Sequence, residues 1–462
     1  MPPIEVFRTL IPGNFPSLLA ITSESEAGPV ILTGVLLSLV VIYFASKLGA
    51  ELSRYLSLPP VLGELIAGVL VGVSAFQLIL FPEDGITASN SNLMSVIHLI
   101  EPMTDELADL IFKTQSEVIS VLAEIGVIIL LFEIGLESEL RELGKVGYQA
   151  AIVACVGVAA PFAAGTLGLI ALFHVPAIPA IFAGAALTAT SIGITSKVLS
   201  ELGHLKSREG QIIVGAAVID DVLGIIVLAV VASLAKTGEV DLMNVLFLIV
   251  GATVFLLGAI LLGKFFNQAF VSLAQTLKTR GNLVIPAFIF AFFMAFVGNA
   301  IHLEAILGAF AAGLVLDETD TRKELDEQVR PIADVLVPIF FVTVGAKVNL
   351  GVLNPVVPEN REGLIIAGFL IVVAIVGKVI SGWSIVGNNE PVNRLAVGVG
   401  MIPRGEVGLV FAGIGAASGA LSPALQAAII VMVILTTFIA PPFLQLALKS
   451  SEAPEQSLDA SN

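Results

Sequence analysis

Two adjacent aspartates, Asp220 and Asp221, lie in the middle of an apolar run that extends from about residue 211 to residue 234. The run is long enough to cross a bilayer, because a helical crossing needs roughly 20 residues. A carboxylate at mid-membrane depth costs at least roughly 2.5 kcal/mol, and adjacent carboxylates repel each other as well. The pair therefore needs compensation by a buried cation, by a proton, or by a mobile ion that alternates with a proton.

A buried basic residue is available in a later apolar run, where Lys378 lies about one turn past the middle. Adjacent residues on a helix point about 100° apart, so Asp220 and Asp221 cannot serve the same partner equally. We expect Lys378 to neutralise one aspartate while the other faces an ion pathway. A buried ion-pair network without transport is the structural alternative, and intramembrane carboxylates more often mark functional sites.

Neutral oxygen ligands are concentrated in another apolar run, at Thr188, Thr190 and Ser191. Hard monovalent cations prefer oxygen ligands, which hydroxyl groups, freed backbone carbonyls and a carboxylate all supply. A buried aspartate also takes up a proton when the cation leaves, because the lone charge is costly there. The pattern predicts a monovalent cation site at Asp220 and Asp221 for which cation and proton compete.

Three further charged residues fall inside apolar runs and leave alternatives open. Arg404 and Glu406 carry opposite charges, so they can neutralise each other or the ends of half-helices, or act in a purely structural way. Glu133 can be a cation ligand or a second partner of Lys378, or it can face water near the end of its span.

Composition identifies the class of protein. Of 462 residues, 56% are hydrophobic and only 13% are charged, which is typical of a polytopic membrane protein. The single cysteine excludes intrachain disulfides and multi-cysteine metal sites. The net charge of −16 is not typical of nucleic-acid binding, and no nucleic-acid partner is expected.

Hydropathy predicts an all-α fold of about thirteen transmembrane helices embedded in a lipid bilayer. The spans run at about 29–49, 59–81, 118–137, 148–172, 177–200, 209–234, 243–267, 282–302, 303–316, 330–347, 363–386, 393–418 and 422–447. Within the longest loop, residues 93–112 are predicted to form an amphipathic surface helix.

Basic residues outside the span centres are divided fifteen to five between the two faces of this arrangement. Lysine and arginine are enriched in cytoplasmic loops of membrane proteins. The division predicts an N-terminus outside and a C-terminus in the cytoplasm.

Two sequence matches indicate an internal repeat. Residues 61–70 (VLGELIAGVL) are similar to residues 306–315 (ILGAFAAGLV), and residues 132–135 (FEIG) align with residues 342–345 (VTVG). Spans 2 and 3 then correspond to spans 9 and 10, which cross in the opposite direction. The expected architecture is two inverted six-helix repeats, a plan in which the transport site lies at the bilayer midplane.

Two repeat-related spans, 5 and 12, are predicted to be broken. Residues 188–193 are rich in Thr, Ser and Gly, and residues 402–406 contain Pro403 and Gly405. Proline removes a helical hydrogen bond and glycine weakens a helix. Unwound backbone within a membrane is tolerated where it is buried or lines a cavity, so these segments are predicted to cross at the ion site.

In combination these motifs resemble the monovalent cation:proton antiporter-2 superfamily, over residues 30–446. The resemblance is carried by residues 218–221 (VIDD), Thr190-Ser191, Gly377-Lys378, residues 403–406 (PRGE) and residues 340–345 (FFVTVG). Within that superfamily, the double aspartate and the membrane lysine resemble the electrogenic Na⁺/H⁺ exchangers. Kef-type potassium systems usually carry Gln-Asp.

The resemblance implies roles for individual residues. Asp221 is expected to be the main carrier of cation and proton, and Asp220 to pair with Lys378 when the cation is absent. A glutamate at position 133 departs from the Kef-like pattern, in which an apolar residue is usual. In another branch of Na⁺/H⁺ exchangers a glutamate at this position acts near the ion-binding site.

The resemblance also implies a homodimer in which a core of spans 4–6 and 11–13 moves in an elevator-like manner against a dimerising scaffold. The corresponding division is an extracytoplasmic segment 1–28, scaffold helices 1–3 in 29–147, core helices 4–6 in 148–234, linker helix 7 and scaffold helices 8–10 in 235–362, core helices 11–13 in 363–447 and a disordered cytoplasmic tail 448–462. No nucleotide-binding domain follows residue 446, so no nucleotide partner is expected.

The resulting hypothesis is a secondary Na⁺(Li⁺)/H⁺ antiporter, not an enzyme, without a cofactor. It is expected in the cell (inner) membrane or in an internal energised membrane such as a thylakoid. K⁺/H⁺ exchange by the same machinery is the nearest alternative. An intramembrane aspartyl protease is disfavoured because its two aspartates must converge from different helices, and a channel-like protein is disfavoured by the inverted repeat.

Overall fold

A computed structural model describes residues 27–82, 85–138, 140–237, 241–317, 321–356, 358–386 and 391–459. The described chain is helical, and its α-helices are numbered here in chain order. They are α1 Ala27–Tyr55, α2 Pro60–Val71, α3 Asn92–Ile100, α4 Asp105–Glu137, α5 Leu140–Phe173, α6 Ala177–Ala186, α7 Ile192–Glu201, α8 Arg208–Thr237, α9 Leu242–Thr276, α10 Val284–Ala300, α11 Ala305–Asp317, α12 Arg322–Ala346, α13 Pro358–Trp383, α14 Arg394–Gly400, α15 Glu406–Ala417 and α16 Pro423–Asp459.

The predicted spans coincide with these helices. Within the described ranges, seven helices are long and apolar enough to cross a membrane: α1, α4, α5, α8, α12, α13 and α16. Helices α2, α9, α10 and α11 occupy the remaining unbroken spans, and the pairs α6–α7 and α14–α15 occupy spans 5 and 12. The prediction of an all-α polytopic membrane protein is confirmed.

Two local predictions were wrong. Residues 93–112 do not form one helix, since α3 ends at Ile100 and α4 starts at Asp105 and continues through the third span. The reason is a strong helix start: the Thr104 side chain accepts from the Leu107 N–H, and Asp105 lies in the first turn, where negative charge is favourable. Span 2 is also shorter as a helix than predicted, because α2 ends at Val71 before Gly72.

Close glycine crossings confirm the inverted repeat residue by residue. A Cβ added to Gly68 of α2 would overlap the backbone of α12 next to Gly345. In the equivalent crossing, a Cβ added to Gly313 of α11 would overlap the backbone of α4 next to Gly135. The sequence alignment pairs Gly68 with Gly313 and Gly345 with Gly135, so the two crossings are the same contact made once in each repeat.

Both predicted helix breaks are present, and they meet. Residues 187–191 separate α6 from α7, and residues 401–405 separate α14 from α15. The backbone N–H of Ser191 donates to the carbonyl oxygen of Pro403 over 2.8 Å. The two unwound segments therefore contact each other inside the bundle, where one N–H group and one carbonyl group freed by the breaks are paired.

The apolar interior contains two clusters that belong to different halves of the molecule. One is drawn from α5, α6, α8, α13, α15 and α16, with Phe182, Leu370 and Met432 fully buried. The other is drawn from α4, α9, α10, α11 and α12, with Phe132 and Leu325 fully buried. A third, larger cluster joins α1, α2 and α4 to α7, α8 and α14.

The glycine crossing of α4 and α11 generates a stability prediction. Gly135→Ala places a methyl group against the backbone of Phe310, where neither helix can yield without separating, and overpacking typically costs about 1–3 kcal/mol. We expect a lower thermal midpoint of the purified protein in detergent. Gly144→Ala in α5 is the matched control, because nothing lies within 4 Å of its added Cβ. Equal midpoints for the two variants would contradict the close crossing.

Candidate functional site

The centre of the site is an ion pair between α8 and α13. The ammonium Nζ of Lys378 donates to both carboxylate oxygens of Asp220, over 3.2 and 3.1 Å. Both side chains are 0% exposed. Of the two aspartates, Asp220 is therefore the one that forms the ion pair with Lys378.

A close crossing of α5 and α13 positions Lys378. The Cβ position of Gly377 lies 3.0 Å from Pro161 of α5, so a larger residue there would force the two helices slightly apart. The Cβ position of Gly157, one turn earlier on α5, lies 3.6 Å from Nζ of Lys378. The hydroxyl of Ser381 donates to the Lys378 carbonyl over 2.6 Å and supports the next turn. The lysine is thus enclosed by backbone and small residues.

Asp221 is the second carboxylate and follows directly on the residue that binds the lysine. Its side chain is buried, at 5% exposure, whereas Asp220 is at 0%. The charge of Asp221 still lies within electrostatic range of Lys378, as do those of Asp220 and Arg404. The two aspartates, the lysine and the arginine form one electrostatic unit.

Arg404 lies inside the second break and is fully buried. Its Nη1 donates to the carbonyl oxygens of Thr188, over 3.2 Å, and of Ala189. These carbonyls follow the end of α6, where a helix leaves its last acceptors unused and carries partial negative charge. Of the alternatives for Arg404, the structure therefore favours support of a half-helix end.

The hydroxyl residues of the first break also contact backbone. Thr188 donates to the Ala185 carbonyl over 2.7 Å, and Thr190 donates to the Met401 carbonyl over 3.1 Å. Ser191 is buried at the start of α7. A donating hydroxyl keeps its lone pairs, so these oxygens can still accept or coordinate. Their role as cation ligands stays a prediction.

Glu133 stands apart from this centre. Glu133 lies 4.0 Å from the Arg330 guanidinium, in a group with Glu137 and Asp326 near the ends of α4 and α12. The hydrogen bonds of the Lys378 ammonium go to Asp220. The structure thus favours the interpretation of Glu133 as a residue near the end of its span. The side chain of Glu406 lies outside the described residues, so its predicted pairing with Arg404 stays a prediction.

Sequence reasoning missed polar residues that hold the breaks in place. Thr437 of α16 donates to the Arg404 carbonyl over 2.6 Å, and Thr195 of α7 donates to the Gly400 carbonyl over 3.0 Å. A signal was available for Thr437, because Thr436 and Thr437 are adjacent polar residues in the middle of span 13, the repeat mate of the span with Asp220.

The arrangement suits binding of a small cation in exchange for a proton. It places a buried carboxylate, Asp221, next in sequence to the ion-paired Asp220, in a bundle where two unwound segments rich in oxygen atoms contact each other. A carboxylate buried in this way is costly as a lone charge, so it favours an occupant that carries one positive charge. A proton and a monovalent cation both meet that requirement.

Comparison with known proteins agrees with this description. The family model described as "Sodium/hydrogen exchanger, transmembrane" matches residues 34–450. The high-affinity Na⁺/H⁺ antiporter NhaS3 of Synechocystis sp. is 60% identical over 451 residues, which are 97% of this chain and 98% of that protein. The Na⁺/H⁺-K⁺ antiporter GerN of Bacillus cereus is 33% identical over 88% of this chain and 94% of its own length.

A solved structure supports the fold. The sodium proton antiporter MjNhaP1 of Methanocaldococcus jannaschii matches with a TM-score of 0.59 and 16% identity, over 93% of this chain and 99% of that one. At this identity the similarity concerns the fold alone. From the match of the family model and the extent of identity with its relatives, the chain belongs to the transmembrane sodium/hydrogen exchanger family.

Proposed function

We propose that this protein is a secondary active antiporter that exchanges Na⁺ or Li⁺ for protons by alternating access. The observation that carries the proposal is the buried Asp220–Lys378 pair with Asp221 beside it, at the crossing of two broken helices. The names of the similar proteins, which are Na⁺/H⁺ antiporters, support the choice of substrates.

In the proposed cycle, Asp221 carries either the cation or the proton. Both neutralise the same carboxylate, so binding of one requires release of the other, and this competition couples their gradients. Asp220 stays bonded to Lys378, and this pair contributes to the electrostatic potential at Asp221. Because these groups interact strongly, their proton uptake belongs to the group and not to single residues.

The proposed role of the breaks is to offer oxygen ligands without exposing lone charges. Unwinding frees backbone carbonyls within the bundle, and Thr188, Thr190 and Ser191 add hydroxyl oxygens. Arg404 donates to two of these carbonyls, and the Thr437 hydroxyl donates to the carbonyl of Arg404 itself. The remaining oxygens are candidates to complete the shell of a dehydrated cation.

Access is proposed to alternate by movement of a core against a scaffold. The core comprises spans 4–6 and 11–13, and the scaffold comprises spans 1–3 and 8–10 with span 7 as linker. Two of the three apolar clusters support this division, because one lies wholly within the core and the other within the scaffold and its linker, whereas the largest cluster spans the boundary between them. We also propose a homodimer formed through the scaffold, with the N-terminus outside and the C-terminus cytoplasmic in an energised membrane.

K⁺/H⁺ exchange by the same site is the second candidate. The name of GerN, a Na⁺/H⁺-K⁺ antiporter, includes K⁺ beside Na⁺, and carboxylate, hydroxyl and carbonyl ligands accept either ion. A cation series with one protein separates the two candidates.

The central prediction concerns proton flux in energised membrane vesicles. Addition of Na⁺ or Li⁺ should collapse the pH gradient, because the cation displaces a proton from Asp221. Asp221→Asn should abolish the response, since a neutral amide cannot exchange a proton for a cation. Asp241→Asn is the matched control, because it removes an exposed charge whose oxygen caps Met243 and Asn244.

Each outcome of that assay has a definite meaning. If K⁺ as well as Na⁺ collapses the pH gradient, the mechanism stands and K⁺ is also a transported cation. A normal response in Asp221→Asn would contradict the assignment of the carrier, and no response of the wild type to any cation would contradict the proposed function.

A second prediction concerns the buried ion pair. Lys378→Met leaves Asp220 buried without its cation, and breaking one partner of such a pair typically costs about 3–5 kcal/mol. We expect a clear drop in thermal midpoint and recovery of most of it in the double variant with Asp220→Asn. A single variant that melts like the wild type would mean that the pair is not a structural unit.

A third prediction concerns Glu133. Because this side chain is placed against Arg330, Glu133→Gln should leave the KM for Na⁺ within about twofold of wild type. The measurement is the Na⁺ concentration dependence of proton flux. A KM raised by an order of magnitude would identify Glu133 as a cation ligand after all.

A further inference from the structure

Helix α2 lacks the usual N-terminal cap of its own. It starts at Pro60, and its N-cap residue, Pro59, makes no side-chain capping bond. The first N–H groups of a helix have no partner within the helix and carry partial positive charge. The carboxylate of Glu201 supplies the missing acceptor, since its Oε2 accepts from the Val61 N–H over 3.2 Å.

Glu201 and α2 fall on opposite sides of the proposed division into core and scaffold. It is the last residue of α7, the half-helix that begins at the first break, in the proposed core. Helix α2 belongs to the proposed scaffold. A rigid helix of ten residues, about 15 Å long, thus connects the crossing of the broken helices to a capping bond on the scaffold.

Two other polar contacts join core and scaffold at the same face of the bundle. We call it the basic face, because it is the side to which the sequence analysis assigns fifteen of the basic residues. Helices α1, α4 and α7 end there, at Tyr55, Glu137 and Glu201. Ser200 donates to Oε2 of Glu137 over 3.3 Å, and Gln445 of α16 donates to the Ser57 carbonyl over 3.0 Å. All three contacts must break if the core moves against the scaffold.

The charges around Glu201 fit a contact that can be made and released. Lys197, one turn earlier on α7, lies within electrostatic range of Glu201 and of Glu64 on α2. Glu64 itself is buried and accepts from the Ser46 hydroxyl over 2.8 Å. Lys197 on the core therefore attracts the Glu64 carboxylate of the scaffold. When core and scaffold separate, Glu201 keeps Lys197 on its own helix and Glu64 keeps the Ser46 hydroxyl.

We propose that Glu201 is a latch residue that caps scaffold helix α2 and thereby favours the conformation in which the basic face is closed. This inference rests on the proposed division into a moving core and a scaffold. Loss of the latch should raise the fraction of molecules open at the basic face. The apparent Kd of a ligand that binds only the opened state then falls in inverse proportion to the fraction of open molecules.

Thiol crosslinking across the basic face tests the latch without transport. Cysteines replace Ser57 and Gln445 in a Cys155→Ser background, which removes the single native cysteine. A short bis-methanethiosulfonate crosslinker is added, and the rate of crosslinking within one chain is measured. Glu201→Ala should slow crosslinking by at least about threefold, and Glu201→Gln, which keeps an acceptor oxygen, should restore part of the rate.

The matched control is Glu209→Ala. Glu209 accepts from the Asn393 N–H over 2.8 Å, which is the same kind of bond made wholly within the core. Its loss should leave the crosslinking rate unchanged. Equal rates in wild type, Glu201→Ala and Glu209→Ala would overturn the latch.

A transport measurement adds a readout that a merely structural residue would not change. With Na⁺ presented at the basic face, Glu201→Ala should lower the KM by about two- to fivefold, and with Na⁺ at the opposite face it should raise the KM. A change of Vmax alone, with both KM values unaltered, would also contradict the latch. A wild type without Na⁺-dependent flux would instead contradict the proposed function, and the crosslinking comparison distinguishes that failure from failure of the latch.

Discussion

The bond between Asp220 and Lys378 is the interaction on which the rest of the site depends. Both groups are withdrawn from water, and the free energy of burying either alone would be several kcal/mol. Together they form a neutral unit that the interior can hold. In the proposed cycle, the neighbouring buried carboxylate, Asp221, is the group for which a mobile cation and a proton compete.

The constraint extends from this pair to the backbone around it. Helix α13, which carries Lys378, packs closely on α5 where Gly377 meets Pro161, and the lysine is buried there. Arg404 in turn holds the carbonyls of the first break, and its charge lies within range of Asp220. The crossing of the broken helices is therefore held by hydrogen bonds and by the same charges that form the site.

The sequence predicted the parts of this structure that follow from periodicity and burial. Span positions, the inverted repeat and the two breaks are all signalled locally, by apolar runs, matching glycines, and Pro or Gly in apolar context. The choice of Asp220 as the partner of Lys378 could not be worked out from spacing. Adjacent helical residues differ by about 100° in direction, and only the packing of α8 against α13 decides which one meets the lysine.

Other features needed the tertiary structure for similar reasons. The start of α4 was mispredicted because the cap at Thr104 outweighs the amphipathic pattern before it. The placement of Glu133 against Arg330 depends on α12, which lies almost 200 residues away in sequence. The cap that Glu201 supplies to α2 likewise joins two helices that no local pattern connects.

Proton release on Na⁺ binding tests the central claim most directly. Purified protein is placed in weakly buffered detergent solution without a membrane gradient, Na⁺ is added, and the released protons are measured. If Na⁺ and a proton compete for Asp221, wild type releases protons in a saturable manner and Asp221→Asn releases none. Saturable release of equal size from Asp221→Asn would show that the exchange takes place at another group and would contradict this account.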